Sequence, residues 1–266
     1  WDITTGVTYV NNLSIVAFDT AMSGLYFKDD GTKMYLIGTT NDSLHEFALS
    51  QAWNISTATF TTNKSIVLYD TGSGGITFNS DGTKMFMVGN SNDKIYSFNL
   101  GTPWDITTLS IVTGLSNLSI GGYEGSATGL TFNPDGTILY VVGNSNDRIY
   151  SYNLSSAWTP STATYTNSYI YIGGEDYSSD EIFLSSDGTK MFMGGSNGDS
   201  VYQYTMAATV VASPTTLKQP LDIEYWFVNV FSGSPILFSI IAGIALLLVS
   251  LKFRMGGGVT LALYVY

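Results

Sequence analysis

Short apolar runs of period two, broken by turn-forming residues, fill the chain up to about residue 206, and no helical stripe appears before residue 220. Four of these stretches align: GLYFKDDGTKMYLIG from Gly24, GITFNSDGTKMFMVG from Gly75, GLTFNPDGTILYVVG from Gly129 and EIFLSSDGTKMFMGG from Glu181. Their Asp-Gly pairs, at Asp30, Asp81, Asp135 and Asp187, are spaced by 51, 54 and 52 residues. A period of that length holds one supersecondary unit. Each unit predicts four strands. Strand a is short and apolar (LYF, ITF, LTF, IFL), and Asp-Gly turns it tightly into strand b. A second polar turn leads to strand c, at Leu44–Leu49, Ile95–Leu100, Ile149–Leu154 and Val201–Met206. A Trp-containing linker then leads to strand d, at SIVAFD from Ser14, SIVLYD from Ser65, LSIGGYE from Leu118 and YIYIGGED from Tyr169.

Four antiparallel strands per repeat, with glycine near the innermost, describe a β-propeller blade. The motif FxxDGTxMFxxG resembles the YVTN-type repeat of microbial propellers, and the DGTKMF-type repeats of microbial and viral surface proteins. The resemblance covers residues 1–207 and implies the fold; it carries over no catalytic residue. The fold class expected is all-β, a four-bladed propeller. The fourth repeat lacks its Trp linker, and the chain opens on one: WDITT at Trp1 matches WDITT at Trp104. The expectation is that residues 1–20 complete the last blade, Ser14–Asp19 pairing with Val201–Met206 to close the ring and hide a sheet edge.

Composition narrows the chemistry. There are no cysteines and one histidine, His45, so thiolate sites, cysteine nucleophiles and multi-histidine metal sites within one chain are excluded. Lys and Arg total 10 against 21 Asp and Glu, a net charge of −11, which argues against a nucleic-acid partner. In a propeller the d–a and b–c loops share one face. That face receives Asp19, Asp70, Glu124 and Asp176 before strand a, and Asp42, Asp93, Asp147 and Asp199 in the b–c turns. The first four are the candidate cation site, with Ca²⁺ the only cofactor considered; the second four are a candidate binding face. The alternative for both is turn chemistry repeated in every blade. His45 aligns with Tyr96, Tyr150 and Tyr202 and is expected to fill the same strand-c position. The linker residues Trp1, Trp53, Trp104 and Trp158 suit either sugar stacking or packing between blades. Six N-x-S/T triplets, at Asn12, Asn41, Asn54, Asn63, Asn117 and Asn153, fit a glycosylated exterior.

The pattern changes after the repeats. A linker (208–224) leads to an uncharged run from Tyr225 to Leu251, long enough to cross a bilayer as a helix. Trp226 suits the interface, Pro235 opens the densest part, and Gly243 with Ser239 makes a small-xxx-small pair. Lys252 and Arg254 follow and are expected inside, leaving the propeller outside. The segments expected are therefore a membrane helix over 225–254 and an apolar tail over 255–266. The implied partners are the lipid bilayer, other membrane proteins along the helix and tail, and a protein or glycan at the loop face. Function is expected to be non-enzymatic: a membrane-anchored exterior binding or adhesion module. The alternatives are an architectural subunit of a membrane complex or membrane-containing virion, and, third, a propeller hydrolase.

Overall fold

The Asp-Gly-Thr triplet sets the geometry of every repeat. Gly31, Gly82, Gly136 and Gly188 take φ of 69 to 72°, a left-handed turn that glycine adopts without strain. The preceding carboxylate fixes the turn by accepting from the Thr two residues on. Asp81 Oδ1, for example, takes Thr83 N–H at 3.0 Å and Thr83 Oγ1 at 2.6 Å. The same pair of bonds recurs at Asp30, Asp135 and Asp187.

The computed structural model describes residues 9–112 and 117–206, which form four antiparallel sheets in chain order. Blade one holds β1 (Met22–Phe27), β2 (Lys33–Gly38), β3 (Ser43–Leu49) and β4 (Ala58–Ser65). Blade two holds β5 (Ser73–Phe78), β6 (Lys84–Gly89), β7 (Lys94–Leu100) and an outer strand in two pieces, β8 (Leu109–Ile111) and β9 (Leu118–Ser119), both paired to β7. Blade three holds β10 (Ala127–Phe132), β11 (Ile138–Gly143), β12 (Arg148–Leu154) and β13 (Ala163–Tyr171). Blade four holds β14 (Ser179–Leu184), β15 (Lys190–Gly195) and β16 (Ser200–Thr205). The fold is thus an all-β four-bladed propeller. Its inner strands pack in sequence, β1 on β5, β5 on β10, β10 on β14, and β14 also reaches β5.

Strands a, b and c fall where the alternation puts them. Strand d does so only in part: β9 starts at Leu118 and β13 takes in Tyr169–Tyr171 as expected, but the outer strands begin earlier, at β4, β8 and β13, and the SIVLYD-type stretch after Ser65 is a turn. In it Tyr69 and Asp70 N–H donate to Ile66 O, while Ile66 drops into the core of blade two. Ile15–Asp19 makes the same turn, with Phe18 and Asp19 N–H donating to Ile15 O, and packs Ile15 and Phe18 on blade one. Ser14–Asp19 therefore pairs with no strand, and the expected closure of the last blade by this segment is corrected. Among the described residues blade four has three strands, with β16 at its edge. The expected membrane helix, with Trp226, Pro235, Gly243, Leu251, Lys252 and Arg254, lies outside the described residues, as do the linker and tail. Among the described residues no helix is long and apolar enough to cross a membrane.

The cores lie between blades. One cluster joins Tyr35 and Ile37 of blade one to Ile76, Phe78, Met85 and Phe98 of blade two. Corresponding clusters join blade two to three and three to four. Of the linker tryptophans, Trp104 and Trp158 belong to these seams, Trp53 is exposed beside Phe27 of its own blade, and Trp1 lies outside the described residues. Trp104 stacks on Phe78 at 5.3 Å and Tyr26 at 6.3 Å, and Trp158 lies 5.0 Å from Phe132. Each indole also covers the Asp-Gly glycine of its own blade: a Cβ on Gly82 or Gly136 would fall 2.2 Å from Trp104 or Trp158. The glycine is thus required twice, once for its φ and once for the ring. Trp53, Trp104 and Trp158 themselves hold φ of 57 to 64°, a strained backbone for a bulky residue, which each secures by donating its N–H to that glycine's carbonyl.

Candidate functional site

The four acids of the candidate cation site are brought to one face but not to one another. Each is buried in its own blade and clasps the d–a turn to the b–c turn. Asp70 accepts from Gly72 N–H at 2.8 Å and from Ser91 and Asn92 N–H at 3.1 Å each. Glu124 accepts from Ser126 and Ser145, Asp19 from Ala21, Thr40 and Asn41, and Asp176 from Ser178 and Gly198. Burial works to raise the carboxyls of Asp19 and Asp176, yet the N–H donors outweigh it and hold both below the usual range. The glycine ending strand b makes room for the clasp: a Cβ on Gly38, Gly89, Gly143 or Gly195 would lie 2.3 to 2.4 Å from that acid's side chain. Among the described residues no three His, Cys, Asp or Glu side chains group to hold a metal. Backbone N–H donors occupy both oxygens of Asp19, Asp70 and Asp176 and Oε1 of Glu124, whose Oε2 is buried without a protein partner.

The four residues of the candidate binding face stand at the b–c turns. Asp42, Asp93, Asp147 and Asp199 sit at φ of 43 to 50°, a left-handed position that Asp tolerates. The carbonyls of the first three receive Ile66, Ile120 and Ile172 N–H, tying the outer strand's exit to the b–c turn. His45 fills the strand-c position as expected. It is buried between Phe18 and Phe60, and burial lowers its pKa.

The residue that sequence reasoning passed over is Glu181. Its repeat counterparts are Gly24, Gly75 and Gly129, and these glycines let the inner strands crowd together: a Cβ on Gly24 would lie 3.0 Å from Gly75 Cα. In the fourth repeat a glutamate side chain enters that space. Its Oε1 accepts from Ile182 N–H at 3.2 Å and Leu130 N–H at 3.3 Å. Its Oε2 lies against Gly75, where a Cβ would come within 2.1 Å of it, and is buried without a protein hydrogen bond. Burial drives this carboxyl well above the ordinary range, and the two N–H bonds offset only part of that. The signal was present in the alignment: one axial position departs from glycine in one repeat.

Glu181 borders a cavity of about 340 Å³ that all four blades line. Leu25, Tyr26 and Asp29 come from blade one, Ile76 to Phe78 from blade two, Leu130 to Pro134 from blade three and Glu181 to Ser186 from blade four, with Trp158 beside them. Among the described residues that line it there is no Lys, Arg or His. A mostly apolar, aromatic-bearing pocket with one buried acid suits a small uncharged molecule with oxygen acceptors. A protonated Glu181 can donate to a carbonyl or leaving oxygen and, once ionised, take a proton back.

No family model matches the chain, and no curated protein does either. Solved structures do resemble it. One is a Bacteroides uniformis protein described provisionally as a 6-phosphogluconolactonase (14% identity, 70% of this chain, 51% of that one, TM-score 0.49). A second is a Bacteroides fragilis protein described in the same way (13%, 70%, 51%, 0.46). A third is the periplasmic gluconolactonase of Pseudomonas aeruginosa (14%, 71%, 50%, 0.45). The chain spans about half the length of these proteins, and at such identity the likeness shows the fold alone. The printed descriptions of these three proteins name lactone hydrolases, and on that finding the expectation of a non-enzymatic binding module is corrected.

Proposed function

We propose that the axial cavity is a catalytic site for a small uncharged cyclic ester, a sugar lactone being the first class to test, with Glu181 as the proton-transfer residue. The observation that carries this is the buried, unpartnered Oε2 of Glu181 at the one axial position where glycine is replaced. A titratable group shifted by burial in a cleft is a candidate acid or base. In the reaction water adds to the ester carbonyl carbon and the ring C–O bond breaks. Glu181 protonates the departing ring oxygen and recovers a proton from the added water. The lining favours a neutral substrate, because a phosphoryl group would meet Asp29 and Glu181 and no cation. From the sequence, the uncharged run Tyr225–Leu251 supports a bilayer anchor for this propeller.

The test is hydrolysis of glucono-lactone and its 6-phosphate by the full chain, followed by acid release. Turnover of the neutral lactone is expected, falling at least about 100-fold in Glu181→Gln, the usual contribution of a general acid. Absence of turnover on both lactones, or a Glu181→Gln variant as active as the parent, overturns the proposal.

A further inference from the structure

Each strand a carries a residue two positions beyond its axial one, and the period of a strand puts both on one face. These residues are Tyr26 after Gly24, Thr77 after Gly75, Thr131 after Gly129 and Phe183 after Glu181. All four line the axial cavity together with Glu181. The two middle blades therefore present threonine where the first and the last present an aromatic ring.

The threonines are the wrong choice for a dry seam. Thr77 is 7% exposed and Thr131 8%, so both are buried. Among the described residues neither hydroxyl has a hydrogen-bond partner, and neither is sealed in as Glu181 Oε2 is. The open side of each is the cavity that it lines. Valine has the same shape and would leave no polar atom behind, whereas a buried hydroxyl without a partner is costly. A hydroxyl both donates and accepts, which is what the hydroxyl of a sugar requires of its partner. On the aromatic side, Tyr26 is held by Phe78 at 5.0 Å and Trp104 at 6.3 Å. The electron-rich face of such a ring takes the polarised C–H groups of a sugar ring.

We infer that the cavity selects a polyhydroxylated six-membered ring, with Thr77 and Thr131 bonding its hydroxyls and Tyr26 and Phe183 taking its C–H face. This rests on the reading of the cavity as a lactone site and names what chooses the substrate there. Thr77 and Thr131 are specificity residues, while Glu181 keeps the proton transfer. A ring without hydroxyls leaves both threonines unpaired, and a site built on hydroxyl contacts rejects such an analogue.

The test is binding, measured by calorimetry on the full-length chain in mild detergent, of two lactams that resist hydrolysis. Gluconolactam carries the hydroxyls, and δ-valerolactam is the same ring without them. Gluconolactam is expected to bind at least about tenfold more tightly. Thr77→Val and Thr131→Val should each weaken it about tenfold and leave δ-valerolactam unchanged, while Thr77→Ser and Thr131→Ser keep the affinity of the parent. A parent that binds neither lactam, or both equally, overturns the inference. So do valine variants that bind gluconolactam like the parent, and serine variants that bind it no better than the valine ones. Lactone turnover is a separate readout. Discrimination between the lactams without turnover supports the inference and removes the reaction; turnover without discrimination does the reverse.

Discussion

Replacing Gly82 by Ala separates the two demands that the Asp-Gly glycine meets. At φ of 70° the added Cβ costs about 1–2 kcal/mol by itself, the left-handed penalty of an L-residue. The Cβ would also stand 2.2 Å from Trp104, so the indole must move by more than an ångström. Trp104 stacks on Phe78 and Tyr26, each pair worth about 0.5–1.5 kcal/mol. Its carbonyl accepts from Tyr35 Oη and Lys33 Nζ, both at 2.7 Å, each bond worth about 1 kcal/mol. Partial loss of these contacts adds about 2–3 kcal/mol, for a total of about 3–5 kcal/mol. Gly188→Ala is the internal control. Its φ is 69°, and among the described residues its Cβ would meet Pro134 at 3.4 Å, ordinary van der Waals contact, so about 1–2 kcal/mol is expected. Urea unfolding followed by tryptophan fluorescence measures both. Equal losses in the two variants would refute the claim that the ring, and not the turn alone, makes glycine obligatory.

Two pH effects of opposite sign are expected. Burial lowers the pKa of His45, so the unfolded chain takes up that proton first and stability falls as pH drops below about 6.5. His45→Tyr removes this loss; it also restores the hydroxyl that Tyr96 and Tyr150 donate to the carbonyls of Tyr69 and Tyr123, for a gain of about 1 kcal/mol. Measured by urea unfolding at pH 5.5 and 7.5, a variant no more stable than the parent and equally pH-sensitive contradicts this. Glu181 works the other way. Its folded pKa is raised, so its contribution is fully present below the ordinary carboxylate value of 4.5 and is lost as pH rises through the shifted one. In a His45→Tyr background, Glu181→Gln flattens that decline, and parallel curves with and without the substitution would show that the carboxyl is not buried as described.

What the sequence disclosed was whatever a single repeat decides locally. The Asp-Gly-Thr turns and strands a to c depend on neighbours within a few residues, and they stand where alternation puts them. In the first repeat the outer strand was set too late because Ile66 and Tyr69 look like alternating strand residues, yet they are anchors three apart on a turn. The closing strand failed for a reason alternation cannot carry: whether Ser14–Asp19 meets β16 depends on blades more than 180 residues away in sequence. The rim acids were legible as turn devices, though their glycine partners one strand away were not. Glu181 was visible as an exception within the alignment, but its meaning needed the axis, where three separate strands bring Gly75, Leu130 and Ile182 against one carboxyl.

The clasp between each rim acid and its b–c turn closes entirely inside one unit, from Asp70 to Asn92 or from Asp176 to Gly198. A genetic event that duplicates or deletes a whole unit of about fifty residues therefore cuts no such bond. Lineages carrying this module can change their blade number by recombination without redesigning any rim, and selection can then act on a single axial codon, as at Glu181, while the remaining copies keep their shape.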